Sequence, residues 1–351
     1  MKYALFFCMS LMLESSLLQA DKGPEDVSPK EIKEEPWFTG TLLSSSAEVV
    51  PYGFIDIEPY LFSTVNYAQY NRRWHSESVP NVYNINPELL IQIGLGKSVH
   101  FQFTPQFFYN ESKGRSATRF GDLPVELDFQ LVSAEDTDWW PNVKLSVRET
   151  LPTGKYQKLE PKNLGLDATG AGSFSTAIGL AISKKSWFGG HYWLNTRFNF
   201  VPTFSAPVHV KGFNTYGGGY GTRGKAYPGT FYQTILSFEL SLTRNWAFAI
   251  DIMNNYNNKV RFKGNPGFRS PGISAKVGLP SSTSFSLAPA IEYNWSEAIG
   301  IIAGCWFTVA GRNTNNFASA AIALNYYGPI TSSKKPTEEQ PSHGGGPGAG
   351  K

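Results

Sequence analysis

Apolar and polar residues alternate with a period of two in several separate stretches of the chain. Over residues 230–243, Tyr232, Thr234, Leu236, Phe238, Leu240 and Leu242 share one face, and Gln233, Ile235, Ser237, Glu239 and Ser241 share the other. Over 246–256, Trp246, Phe248, Ile250 and Ile252 oppose Ala247, Ala249, Asp251 and Asn255. Successive side chains of an extended chain point to opposite faces, so each stretch reads as a strand with one apolar face. Arg244-Asn245 is short enough to join the two as an antiparallel hairpin.

The pattern recurs. Val99, Phe101, Phe103, Phe107 and Tyr109 alternate with His100, Gln102, Thr104 and Gln106. Val125, Leu127, Phe129 and Leu131 alternate with Glu126, Asp128 and Gln130. Tyr192, Leu194, Phe198 and Phe200 alternate with Asn195, Arg197 and Asn199, and Phe285, Leu287, Ile291 and Tyr293 with Ser286, Glu292 and Asn294. The segments approach the roughly 9–11 residues that a tilted membrane strand needs.

Alternation alone fits a soluble sandwich as well as a membrane barrel. The connections favour the barrel, because short and long ones take turns along the chain. Short ones fall at 96–97, 184–189, 244–245 and 295–298, and long polar ones at 68–83, 152–171, 205–228 and 257–283. The expected fold is an all-β, antiparallel, transmembrane up-and-down β-barrel of about twelve strands, near 52–66, 84–95, 98–109, 120–132, 142–151, 173–183, 189–204, 230–243, 246–256, 284–294, 299–310 and 316–327. Residues 274–279 could form another strand, but an odd count would break the parity, so they are assigned to a loop. An even count puts both chain ends in the periplasm.

The ends divide the chain further. Lys2, the apolar stretch 4–13 and Leu18-Gln19-Ala20 predict a signal peptide over 1–20. Glu14 and the brevity of the stretch argue against an anchor. Phe7 before Cys8 does not suit a lipoprotein cleavage site. Cleavage after Ala20 leaves Cys305 alone, with no internal disulfide. Residues 21–50 are expected as a periplasmic N-terminal segment, 51–327 as the outer-membrane barrel, and 328–351, rich in Pro, Gly, Lys and Glu, as a disordered tail.

Composition adds little to this. Aromatic residues make up 15% and the net charge is +3, which gives no reason to invoke nucleic acid. Beyond residue 20 no apolar run nears the roughly 18–20 residues a spanning helix requires.

Local motifs are more specific. Gly121-Asp122 precedes the 125–131 strand. Leu151-Pro152-Thr153-Gly154 follows, and Gly170-Ala171-Gly172-Ser173-Phe174 then runs into Gly179-Leu180-Ala181. This set resembles the bacterial outer-membrane barrel family of transporters associated with the meta-cleavage pathway of phenol degradation. The match is best over about 119–184, with Lys155 where an acidic residue is common and Ala171 interrupting the glycines. The resemblance implies transport of small, aromatic or hydrophobic compounds, and it brings no catalytic residues with it.

The inward face of such a barrel would be strongly charged. Asp56, Glu58, Glu88, Glu126, Asp128, Lys144, Arg148, Arg197, Glu239, Asp251 and Glu292 are the lumen-lining candidates. Glu126 and Asp128 lie on the strand expected to pair with that of Lys144 and Arg148, so cross-strand ion pairs are expected. Two roles fit these residues: a charged constriction that selects permeants, or a neutralising network that holds the barrel's shape. About twelve strands lie between the filled eight and the open sixteen, which predicts a narrow or plugged pore.

Other chemistry finds little support. His75-Ser76, His100 and His191 have no serine-hydrolase constellation around them, and the scattered histidines offer no metal-ligand spacing. Cys305 is expected to pack among Ile301, Phe307 and Val309. Tyr216-Gly217-Gly218-Gly219-Tyr220-Gly221 does not join a strand to a helix, so it reads as a flexible extracellular loop rather than a phosphate cradle. Arg72, Arg73 and Trp74, with Lys259, Arg261, Lys263 and Arg269, are either lipopolysaccharide contacts or solvated loop charge. The expected function is a passive channel or transporter for small molecules, without enzyme activity or cofactor, in contact with outer-membrane lipid and lipopolysaccharide. The alternative is a non-conducting structural or adhesive barrel acting through its loops.

Overall fold

The computed structural model describes residues 35–134 and 139–330. The expected signal peptide, the charged stretch up to residue 34 and the tail from 331 lie outside the described residues. Among the described residues the strands are β1 (Phe54–Tyr70), β2 (Ser76–Gly94), β3 (Val99–Phe103), β4 (Phe107–Ser112), β5 (Arg115–Phe120), β6 (Leu123–Val132), β7 (Asn142–Leu151), β8 (Ser175–Trp187), β9 (Trp193–Ser205), β10 (Val208–Lys211), β11 (Arg223–Tyr227), β12 (Phe231–Ser241), β13 (Trp246–Asn257), β14 (Arg261–Asn265), β15 (Phe268–Ser270), β16 (Ile273–Ser274), β17 (Ser282–Asn294), β18 (Ile299–Arg312) and β19 (Thr314–Pro329).

Fourteen of these form one antiparallel sheet, and β1 pairs with both β2 and β19 to close it. β3 with β4, and β5 with β6, are each one barrel strand interrupted by a few residues, so the barrel has twelve strands. Closure leaves no unpaired edge. The remaining strands lie in the long connections, as a three-stranded sheet β10-β11-β14 and the small pair β15-β16.

Three hairpins extend further than alternation suggested. Residues 68–83 are not a long loop: Ala68, Gln69 and Tyr70 pair with Ser78, Glu77 and Ser76, leaving a turn of five residues. Asn71 closes it, its Oδ1 accepting from the backbone of Arg73 and His75. The chain also turns tightly at Lys113-Gly114 and at Asn313. Polar residues occupy both faces here, so strand pairing continues without a period-two signal. At the other end, β19 includes Gly328 and Pro329, which pair with Ile55 and Phe54, so the barrel extends past residue 327.

The outer surface is apolar. One row of residues in cross-strand register runs through Leu61, Ile322, Ala303, Ile291, Phe248, Leu240 and Leu194. Several of these large side chains are exposed, including Leu61, Ile291 and Ile322. Cys305 is exposed on this outer face, paired with Ala320. Around the short turns Trp246, Tyr293 and Trp295 pack ring to ring, with centroids 4.7 and 5.2 Å apart. Tyr192 and Tyr326 are exposed at the same end.

Residues 37–50, expected to precede the barrel in a periplasmic segment, instead lie against its inner wall. Trp37 donates its backbone N–H to Arg244 O in one short turn, and Val50 donates to His100 Nδ1 beside another. Between them the chain crosses from β17 and β13 past β9 to β6 and β7. We call this segment the strap.

Candidate functional site

The site is built from the inward residues of the strands and the strap they hold. The strap is rich in small uncharged residues, including Thr39, Gly40, Thr41, Ser44, Ser45, Ser46 and Ala47, and carries the single charge Glu48. Its backbone N–H and C=O groups need partners inside the barrel. The wall supplies them as side chains. Thr39 N donates to Glu292 Oε2 at 3.1 Å and Leu43 N to Asp251 Oδ2 at 3.0 Å. Gln130 serves both directions, accepting from Val49 N at 3.0 Å and donating to Ala47 O at 2.8 Å. Asn199 donates to Ser45 O, and Asn294 to Trp37 O.

Packing fixes the middle of the strap. Leu42 is buried against Ala249, Ala288, Ala290, Ile302, Ala321 and Ala323, with Tyr60, Phe62 and Trp306 alongside. Alanines on β13, β17 and β19 leave the room that Leu42 fills. Gly40 has φ +116°, and a side chain there would meet the Arg197 guanidinium at 3.2 Å. The backbone can therefore approach Arg197 only as glycine.

The charged candidates gather in four groups. Arg148 bonds Glu126 through Nε, directly opposite in register, and Glu88 faces the same cavity. Asp128 lies 2.8 Å from His100 Nε2 and 3.1 Å from Lys144 Nζ. Because His100 Nδ1 accepts from Val50, its proton sits on Nε2 and is donated to Asp128. Glu239 accepts from Arg197 Nη2 at 2.9 Å and from Asn195 Nδ2 at 2.8 Å. Near the closing seam, Asp56 accepts from Asn325 at 2.7 Å and Glu58 from Tyr60 at 2.5 Å.

The cavity separates these residues. Asp56, Glu58, Glu88, Lys144, Arg148 and Arg197 line a cavity of about 980 Å³. Glu126, Asp128, Glu239, Asp251 and Glu292 are buried behind their partners and do not line it. Lys185, Glu297 and Tyr327 at the short-turn end and Phe231, Asn257 and Asn315 at the opposite end line this same cavity. The strap narrows it along residues 38–46 and 48–50. Sequence alternation singled out none of the strap residues. The signal for them was the drop in charge between the stretch 21–35 and β1.

The connections at the long-loop end are folded too. Asp122 Oδ1 accepts from Gly154 N at 2.9 Å and Oδ2 from Ala171 N at 2.7 Å. Thr153 and Thr169 donate to Gly121 O and Phe120 O. Gly154 and Gly170 touch backbone to backbone, so a side chain on either would clash. The three short motifs noted in the sequence thus converge on one carboxylate. Lys155 pairs with buried Asp167 at 2.6 Å. The glycine-rich stretch 216–221 is laced to the 258–281 connection, with Gly218 N donating to Lys276 O. Tyr216 is buried there with Val208, Val210 and Ala226, and donates to Ala171 O at 2.8 Å. Burial, then the nearby Asp122 and Tyr156, push its phenol up to about 12.

No protein-family model matches the sequence, and no curated protein does. The resemblance to the phenol-pathway transporters therefore rests on the motifs alone. Among solved structures the chain is similar to an outer membrane channel from Pseudomonas putida F1, with 13% identity and a TM-score of 0.62 over 81% of this chain and 99% of that one. The β domain of the Bordetella autotransporter BrkA is more distant, with 9% identity and a TM-score of 0.42 over 78% and 99%. A mutant of the TodX monoaromatic hydrocarbon channel gives 11% and 0.34 over 79% and 89%. These two likenesses are too remote to carry an argument. What the first establishes is the fold: this chain is a closed twelve-stranded barrel of the architecture found in an outer-membrane channel.

Proposed function

We propose that the protein is an outer-membrane channel for small solutes, with both ends of the barrel chain on the periplasmic side. The observation that carries this reading is a cavity lined by residues from both ends of a barrel whose outer wall is apolar. An apolar outer band with aromatics at its edge suits lipid, and a charged interior suits water. Arg148, Arg197 and Lys144 line the cavity with Asp56, Glu58 and Glu88. Mixed charge of this kind favours small polar or amphipathic permeants over one sign of ion. The strap narrows the path, so passage of large solutes is not expected.

A second reading has its own support. The strap fills part of the lumen, and the connections carry a core of their own around Tyr216. Both fit a non-conducting barrel that works through its surface. Planar-bilayer recording of the refolded barrel separates the two. Discrete conductance steps that change when Arg148 or Arg197 is neutralised support the channel. Silence from a barrel that is demonstrably folded rejects it in favour of the surface role.

A further inference from the structure

The chain as a whole is nearly balanced, with 31 Lys and Arg against 28 Asp and Glu. Two of its connections are not. Residues 206–230 and 258–281 together hold eight Lys and Arg and no acidic residue. The structure brings them into one sheet, β10-β11-β14.

That sheet has two unlike faces. Val208, Val210, Ala226 and Phe262 face the core around Tyr216. The opposite face sets cations in register across the strands. Lys225 lies opposite Lys263, and Lys211 opposite Arg223. Arg261 occupies the next row, opposite Tyr227. Like charges directly opposite each other destabilise a strand pair. Among the described residues none of these cations is in a salt bridge, so the fold itself does not compensate the repulsion. Tyr227 instead gathers them: both Lys225 Nζ and Lys263 Nζ lie 5.8 Å from its ring centroid.

The arrangement suits an anion with several acceptor oxygens, which can bridge neighbouring ammonium and guanidinium groups. Its position narrows the source. Only two or three residues separate β10, β11 and β14 from the barrel strands β9, β12 and β13 that they continue. The sheet therefore stands just past the rim, at the level of lipid headgroups around a membrane-embedded barrel. We propose that this cationic face binds the phosphate groups of outer-leaflet lipopolysaccharide, an inference that rests on the outer-membrane reading above.

The test uses the refolded barrel in detergent, with folding checked by heat-dependent gel mobility. Calorimetric titration compares deep-rough lipopolysaccharide with the same material stripped of phosphate. The phosphorylated form should bind roughly tenfold or more tightly, since charge-assisted bonds to phosphate are lost in the other. That preference should weaken as salt rises. The double variant Lys225→Gln/Lys263→Gln should lose it. Without lipid the same variant should unfold at higher temperature than the parent, because the repulsion has gone. Arg223→Gln, one row away, is the second variant if the first does not fold. Equal binding of the two lipids, unchanged binding by the variants, or tighter binding of a soluble sulfated polysaccharide would each overturn the proposal. A barrel that conducts but ignores phosphate overturns this inference and leaves the channel. A silent barrel that still prefers phosphorylated lipid does the reverse.

Discussion

Arg197 donates from Nη2 to Glu239 Oε2 at 2.9 Å, with both side chains buried on the inner wall. The guanidinium is also what a side chain on Gly40 of the strap would meet. Removing one member of a buried pair strands the other's charge. Arg197→Ala should therefore destabilise the barrel by about 3–5 kcal/mol. The urea midpoint of refolded protein measures this, and a loss well under 1 kcal/mol would refute it. Arg197→Met with Glu239→Leu should recover much of the loss, because neither charge then remains.

The strap should limit conductance. Gly40→Val puts a branched side chain where φ is positive and Arg197 is in the way. Leu42→Ala empties the alanine-lined recess, a type of change that weakens core packing by about 2–5 kcal/mol. Both variants should raise single-channel conductance or its open fraction, and deletion of residues 37–49 should raise it further. Unchanged traces in all three would mean that the strap does not obstruct the path.

Neutralising the cavity's cations should change selectivity. Arg148 faces the lumen beside Glu88 and is bonded to Glu126. In Arg148→Gln the two carboxylates lose their counter-charge, so the reversal potential in a salt gradient should move toward cation preference. Glu88→Gln should move it the other way. A reversal potential indifferent to both would remove these residues from the permeation path.

Asp122 should hold the 152–174 connection in place. It accepts the backbone N–H groups of Gly154 and Ala171. Leaving buried donors unpaired costs about 1–3 kcal/mol each. Asp122→Ala should expose this connection to limited proteolysis while leaving the barrel folded. Equal cleavage rates for parent and variant would contradict this role.

Tyr216 sets the alkaline limit of the same region. Its phenol is held up to about 12, so the proton it donates to Ala171 O is kept in the folded protein beyond its ordinary range. The stabilisation is fully present below about 10, the usual tyrosine value, and is lost as pH rises through about 12. Tyr216→Phe should abolish this pH-dependent part, read as protease sensitivity between pH 9 and 12 on the pKa scale of tyrosine.

Sequence alternation by itself determined the architecture. Residues such as Leu236, Phe238 and Leu240 must share a face in any extended chain, and their repetition with alternating connection lengths left a closed meander of twelve strands. The same parity sent Glu239, Asp251 and Glu292 to the opposite face. Tertiary structure alone decided what those carboxylates do. The strap has no period to read, because its partners are side chains spread over β3, β6, β9, β13 and β17 rather than a neighbouring strand. Thr39, Leu43 and Val50 reach Glu292, Asp251 and His100 only after the barrel has closed. Alternation is a local consequence of backbone geometry, whereas the filling of a lumen depends on which faces closure brings together across it.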